Sequence, residues 1–372
     1  MNDLSKLVAI SVLSCSASGL ALADSKLTTT AVSSARGATS GFIDYANAKP
    51  LPLPQSSMRP SSPFESLQGA QMFRAPAGMS QGGEGHGKTN PMVLVPTGTD
   101  KAVAGSTSEP VPQDFGTSNH PFTTSRTNAQ GQRTANRFPF RPAGKLFFNI
   151  GASTYVCSAS LIKPGIIVTA AHCVANYGAS QFYSDFVFVP AYDKGGAPYG
   201  QATGVPTIMT SYFNGTDGCA VYGVVCPNDV AVIALSSNLG AATGWYGYGW
   251  NGYGFSGSLT QVTQLGYPQS LDSGGLQQRT DSYGYVSASD SNNTVIGSNQ
   301  TGGSSGGPWL VNLGINPVGY DAGSAPNRNV VVGATSWGYI SSAVKEQGAS
   351  PFTTGNITIL VDVVCAGNPG SC

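Results

Sequence analysis

Charged side chains are scarce in this chain. Asp, Glu, Lys and Arg make up 10% of its 372 residues, 18 acidic and 18 basic. Surface polarity therefore falls to Ser, Thr, Asn, Gln, Gly and Tyr. Residues 1–137 carry 11 basic against 8 acidic side chains, and the remainder 7 against 10. Neither part has the concentrated basic surface that nucleic-acid binding requires. Histidine is scarcer still, with only His86, His120 and His172. No Cys-x-x-Cys pair occurs, which argues against a cysteine-based metal site. Past the first two dozen residues no stretch reaches 18 apolar residues, so nothing further is long enough to span a membrane as a helix.

What is present centres on Thr301-Gly302-Gly303-Ser304-Ser305-Gly306-Gly307-Pro308. Glycines let a backbone turn tightly and bring its N–H groups close to a ligand. Two such groups aimed at one point can stabilise an oxyanion. With 49 glycines in the chain, a Gly/Ser turn alone is ordinary, and the histidines give it weight. His86 and His120 lie in a Pro/Gly/Ser-rich half. His172 follows the apolar run Ile166-Ile167-Val168, within Thr169–Cys173. A carboxylate to orient its imidazole stands at Asp229, at the mouth of the apolar run Val230–Leu235. There it either caps a turn or is held by partners, since an unpaired buried charge is too costly. Chain order then discriminates. An α/β-hydrolase elbow needs its His after the Ser, and no His follows Ser305. A subtilisin-type order needs an acid before the His, and none occurs between Phe138 and Ala171. The order left is His172, Asp229, Ser305, that of chymotrypsin.

Thr169–Cys173, the Asp229 strand and Gly303–Pro308 together resemble the trypsin/chymotrypsin superfamily of serine peptidases. Thr301-Gly302-Gly303 and the earlier Gly266-Tyr267-Pro268 are similar to its bacterial V8 (glutamyl endopeptidase)-like branch. The resemblance runs from Phe138 to the C-terminus. It implies an all-β fold of two six-stranded antiparallel barrels with a short C-terminal helix, and a secreted endopeptidase working through an acyl-enzyme. Ser305 would be the nucleophile, His172 the general base and Asp229 its orienting acid. The N–H groups of Gly303 and Ser305 would form the oxyanion hole. Ser336 would hydrogen-bond Asp229, and Ser336–Gly338 would offer backbone to an extended peptide. The specificity pocket would have Asn299 and Gln300 at its base and Thr335, Ser336, Trp337 and Gly338 as its far wall. No carboxylate is visible at these positions for a basic residue. The wall His of glutamyl peptidases is replaced by Thr335, so cleavage is expected after uncharged, medium to large residues. Ser304 replaces the acid that pairs with a freed N-terminal amine in animal enzymes. No cofactor and no metal are expected. The partners expected are protein or peptide substrates only, with no nucleic acid, no membrane once the leader is gone, and a monomeric chain.

The other segments fit an exported enzyme. Residues 1–23 read as a signal peptide, with Lys6, apolar Leu7–Ala23 and an Ala21-Leu22-Ala23 cleavage site. Cys15 falls in that leader. The remaining six allow 15 disulfide pairings. The resemblance and the spacing favour Cys157–Cys173, with Cys219–Cys226 and Cys365–Cys372 as local clips. Residues 24–137 are rich in Ser, Thr, Gly, Pro and Ala, with an extended Pro-studded stretch at Pro50–Pro63. They read as a flexible, poorly structured pro-segment with cleavage points at Arg126, Arg133 and Arg137. Residues 138–372 form the catalytic domain, in which nine short apolar runs separated by turn clusters read as strands. At Asn356–Ala366 β-branched content favours a strand, whereas the resemblance implies a helix. Trp245–Phe255 reads as a packed surface loop or an aromatic wall. From another functional class, the competing reading is a non-catalytic binding or adhesion protein on the same fold.

Overall fold

A computed structural model describes residues 30–35, 41–57, 75–95, 115–219, 225–286, 293–317 and 327–372; the expected signal peptide lies outside them. Residues Leu146, Phe148, Ile167, Ile233 and their neighbours are too apolar to remain in water. They are buried by six strands: β1 (Ala143–Ile150), β2 (Ser153–Lys163), β3 (Ile166–Thr169), β4 (Ser184–Pro190), β5 (Ala202–Met209) and β6 (Ala231–Leu235). The order β1-β2-β3-β6-β5-β4 closes on β1, each pairing antiparallel. A second set repeats that topology: β7 (Leu259–Gly266), β8 (Gln278–Val286), β9 (Thr294–Gly297), β10 (Pro308–Val311), β11 (Val330–Tyr339) and β12 (Glu346–Pro351). Its order β7-β8-β9-β12-β11-β10 closes on β7. Closure pairs both edges of each sheet, which removes open edges.

The C-terminal run forms a helix, α1 (Ile357–Gly367), capped by the Asn356 side chain on the Ile357 N–H. Ile357, Leu360, Val361 and Val364 recur at helical spacing. That face packs with Val230, Val232 and Met209 of the first barrel, and burial outweighs the strand preference of the valines and isoleucines. Trp245–Phe255 is partly strand: Gly247–Trp250 pairs with β11 and with Gly78–Ser80, and Tyr246 and Tyr248 enter the core.

The described parts of 24–137 have no core of their own and add strands to the barrels. Ala31–Ser33 pairs with β5, and Phe122–Arg126 with five residues of β8. Residues 49–50 and 55–56 make short parallel pairings to β2 and β11. Of the three arginines expected as cleavage points, Arg126 is part of the strand on β8 and ion-pairs with Asp272.

Candidate active site

His172 and Asp229 come from two loops of the first barrel joined by hydrogen bonds, and the Ser305 loop of the second barrel packs on Ser158 and Thr169 of the first. His172 lies in the single 3-10 turn Ala171–Cys173 that ends β3. Asp229 immediately precedes the β6 region, and Ser305 the turn into β10. The Asp229 carboxylate bridges to His172 twice. Oδ1 accepts from the His172 backbone N–H at 2.8 Å, and Oδ2 lies 2.8 Å from Nδ1. Oδ2 also accepts from the Ser336 hydroxyl, and the Asp229 N–H donates to Ser350 Oγ. Burial pushes the Asp229 carboxyl up. The His172 charge and the hydrogen bonds from His172 and Ser336 together outweigh that and hold it below the ordinary carboxylate range. Since the carboxylate occupies Nδ1, the imidazole has Nε2 left for other chemistry.

Ser305 is 0% exposed and His172 8%. Neither Ser305 Oγ nor His172 Nε2 has a hydrogen-bond partner among the described residues. The loop that carries Ser305 needs its glycines. Gly306 has φ +75°, and a Cβ there would fall 1.9 Å from Thr169 Oγ1 and 2.4 Å from the Ser158 carbonyl oxygen. Gly303 has φ +92°, with its N–H 3.2 Å from the carbonyl oxygen of Leu51. Ser158 braces this loop and carried no signal in the sequence. Its N–H donates to the Ser305 carbonyl, its hydroxyl donates to the Gly303 carbonyl at 2.8 Å, and it accepts from the Tyr267 N–H.

A cavity of about 190 Å³ adjoins this loop, lined among others by Asn299, Gln300, Gly338, Glu346 and Leu53. Asn299 Oδ1 accepts from Thr124, and Gln300 Nε2 donates to Thr280. The other three expected pocket residues do not line it. Thr335 is buried, accepting from Gln264 and Trp309. Ser336 is on Asp229, and Trp337 is buried with its indole N–H on Asn293. Outside the positions named for the pocket, the lining also includes a carboxylate, that of Glu346. It comes from β12, whose polar sequence hid it as a strand, and it lines the cavity beside Gln347. Glu346 Oε1 lies 2.9 Å from Nδ1 of His120 and accepts from Tyr285. His120, read at first as part of a non-enzymatic half, is buried with Nε2 2.8 Å from the Tyr283 carbonyl. The Glu346 carboxylate is thus already held by His120 and Tyr285.

Cys157–Cys173, Cys219–Cys226 and Cys365–Cys372 are disulfides in the structure. The first ties β2 to the His172 turn. It also takes both sulfurs beside His172 out of reach as metal ligands.

The sequence profile described as Trypsin matches residues 130–355. Trypsin beta of Drosophila erecta is 30% identical over 214 residues, covering 50% of this chain and 70% of that protein. Glutamyl endopeptidase of Bacillus licheniformis is 25% identical over 46% of this chain, which spans about half (49%) of that relative. Among solved structures, protease Anisep from Arthrobacter nicotinovorans superposes with a TM-score of 0.47 at 24% identity, covering 62% of this chain and 95% of that one.

Proposed function

The chain belongs to the trypsin family, and from that premise we propose that it is a secreted serine endopeptidase, made as a zymogen, that hydrolyses peptide bonds through an acyl-enzyme. The observation that carries this reading is the buried Asp229, which holds His172 through both the backbone N–H and Nδ1. Such a clamp fixes the tautomer and leaves Nε2 as the base. Ser305 Oγ attacks the scissile carbonyl, and its proton passes to Nε2. The C–N bond then breaks, and the amine leaves with that proton. Water repeats the sequence on the ester. Asp229 stays ionised throughout and stabilises the imidazolium. The N–H groups of Gly303 and Ser305 receive the oxyanion.

The acyl residue places its side chain in the cavity of Asn299, Gln300 and Gly338, with the peptide before it along Ser336–Gly338 of β11. The leaving amine lies on the opposite side, toward β2 and the Cys157–Cys173 bridge. Because Glu346 Oε1 is already engaged by His120 and Tyr285, the cavity favours uncharged, medium to large side chains over Lys or Arg. Three disulfides support an oxidising, extracellular destination. Processing to a catalytic domain of 138–372 would have to strip Phe122–Arg126 and His120 from the second barrel. We therefore expect these residues to stay bound to it.

Labelling with an organophosphate tests the proposal. One adduct at Ser305 is expected, located by peptide mass mapping and absent in Ser305→Ala. An adduct elsewhere, or none, would refute it.

A further inference from the structure

Residues 49–56 read Lys-Pro-Leu-Pro-Leu-Pro-Gln-Ser, and they lie along the cleft just described. Residues 49 and 50 pair in parallel with Tyr155 and Val156 of β2, and the Leu51 N–H donates to the Val156 carbonyl at 3.0 Å. The Leu51 carbonyl then accepts from the Gly303 N–H, one of the two oxyanion donors proposed above. Its side chain packs on the cluster containing Cys157 and Cys173. Leu53 lies against Gly338 and lines the specificity cavity. The Pro54 carbonyl accepts from the Gly338 N–H at 2.9 Å, and Gln55 and Ser56 continue in parallel with Gly338 and Tyr339 of β11.

Resting on the peptidase reading, we infer that residues 49–56 are a built-in inhibitor that binds the cleft in the direction opposite to a substrate. A substrate reaches Gly303 from the β11 side and leaves toward β2. The residue that offers its carbonyl also fills the cavity. Here the chain enters along β2 and leaves along β11. The residue at the cavity, Leu53, comes two positions after the one at Gly303. The carbonyl at the hole therefore has its amine on the acyl side, where His172 cannot deliver a proton to it. Prolines at 50, 52 and 54 add to this. They hold an extended backbone at low entropic cost and offer no N–H to compete with the paired positions. The segment is fastened upstream as well. Ile43 is buried, the Gly41 N–H donates to Asp185, and the Tyr45 ring packs edge-on against Phe147 at 5.0 Å. The ligand class for the cleft is thus an extended, proline-alternating peptide with leucines two apart.

The test uses the intact chain. A strap closed about 99% of the time slows reagent access about 100-fold. Leu51→Asp/Leu53→Asp should accordingly be labelled by the organophosphate about 100-fold faster than wild type. The milder Leu53→Gly should show a smaller gain, and serves if the double variant does not fold. A synthetic peptide of residues 45–57 should bind the double variant by fluorescence anisotropy, return its labelling to the slow rate, and be recovered uncut. Equal labelling rates in wild type and both variants, absence of peptide binding, or cleavage of the peptide at residues 51–53 would each overturn the inference. Peptide binding without labelling of any form would keep the strap and remove the peptidase reading.

Discussion

Ser336→Ala probes the held carboxylate with little change in packing. Asp229 is buried, and its side chain accepts three hydrogen bonds, two from His172 and one from Ser336. A hydrogen bond to a charged group contributes about 1.5–3 kcal/mol, and alanine leaves no replacement donor. If that loss falls on the step in which His172 becomes charged, kcat/KM drops by about 10- to 150-fold. The substitution also changes acid stability. The folded Asp229 pKa lies below its ordinary value. Its stabilisation is therefore present above the unfolded pKa and lost as pH falls through the folded one. Removing the Ser336 donor raises the folded value, so stability should be lost at a higher pH than in wild type. The assay is kcat/KM on a small ester with the processed enzyme, alongside chemical denaturation at pH 7 and pH 4. Ser336→Thr keeps a hydroxyl and should recover most of the rate. A Ser336→Ala enzyme within twofold of wild type, with an unchanged acid midpoint, would refute the reasoning.

Other substitutions test the scaffold. Lys145 is buried over the Tyr192 ring, and burial lowers its pKa to about 8. The unfolded chain therefore binds more protons between about pH 8 and 10.5, and stability from this group rises with pH across that window. Lys145→Met should raise stability at pH 7 by up to about 3 kcal/mol, with the gain fading toward pH 10.5 in urea titrations. Gly306→Ala forces a side chain into a positive-φ position against Thr169 and Ser158. It should cost about 1–3 kcal/mol and most of the activity, read as a lower Tm and a slower ester assay. Replacing Cys157 and Cys173 by Ala opens a link 16 residues apart. Unfolding measurements should show a loss of about 3 kcal/mol.

The first barrel was legible because its strands are apolar on the buried face: Ile166–Thr169 and Ala231–Leu235 read as core from composition alone. The second was harder. Over Gln278–Tyr283, β8 alternates buried and less buried residues, yet the buried ones there are Gln278, Thr280 and Ser282. Their partners come from distant segments, as in Thr280 with Thr124 and Gln300. A polar face satisfied by long-range hydrogen bonds leaves no hydrophobic period to read. β12 was missed for the same reason, and Glu346 with it. His172 and Asp229, paired in the sequence by motif and chain order, lie together in the structure. The site was not legible where a residue acts through tertiary pairing: Ser158 has no local mark, and His120 sits in a stretch whose composition suggests a linker. Residues 49–56 read as an extended proline-rich stretch, which they are. Nothing local shows that both of their neighbours are barrel strands.

The central claim is that His172 is the base that activates Ser305. It is tested most directly by kcat/KM for peptide hydrolysis by His172→Ala, compared with wild type at equal active-chain concentration. The account predicts a loss of about 10⁴-fold or more, with residual activity from binding and the oxyanion donors. A His172→Ala enzyme within tenfold of wild type would contradict the account.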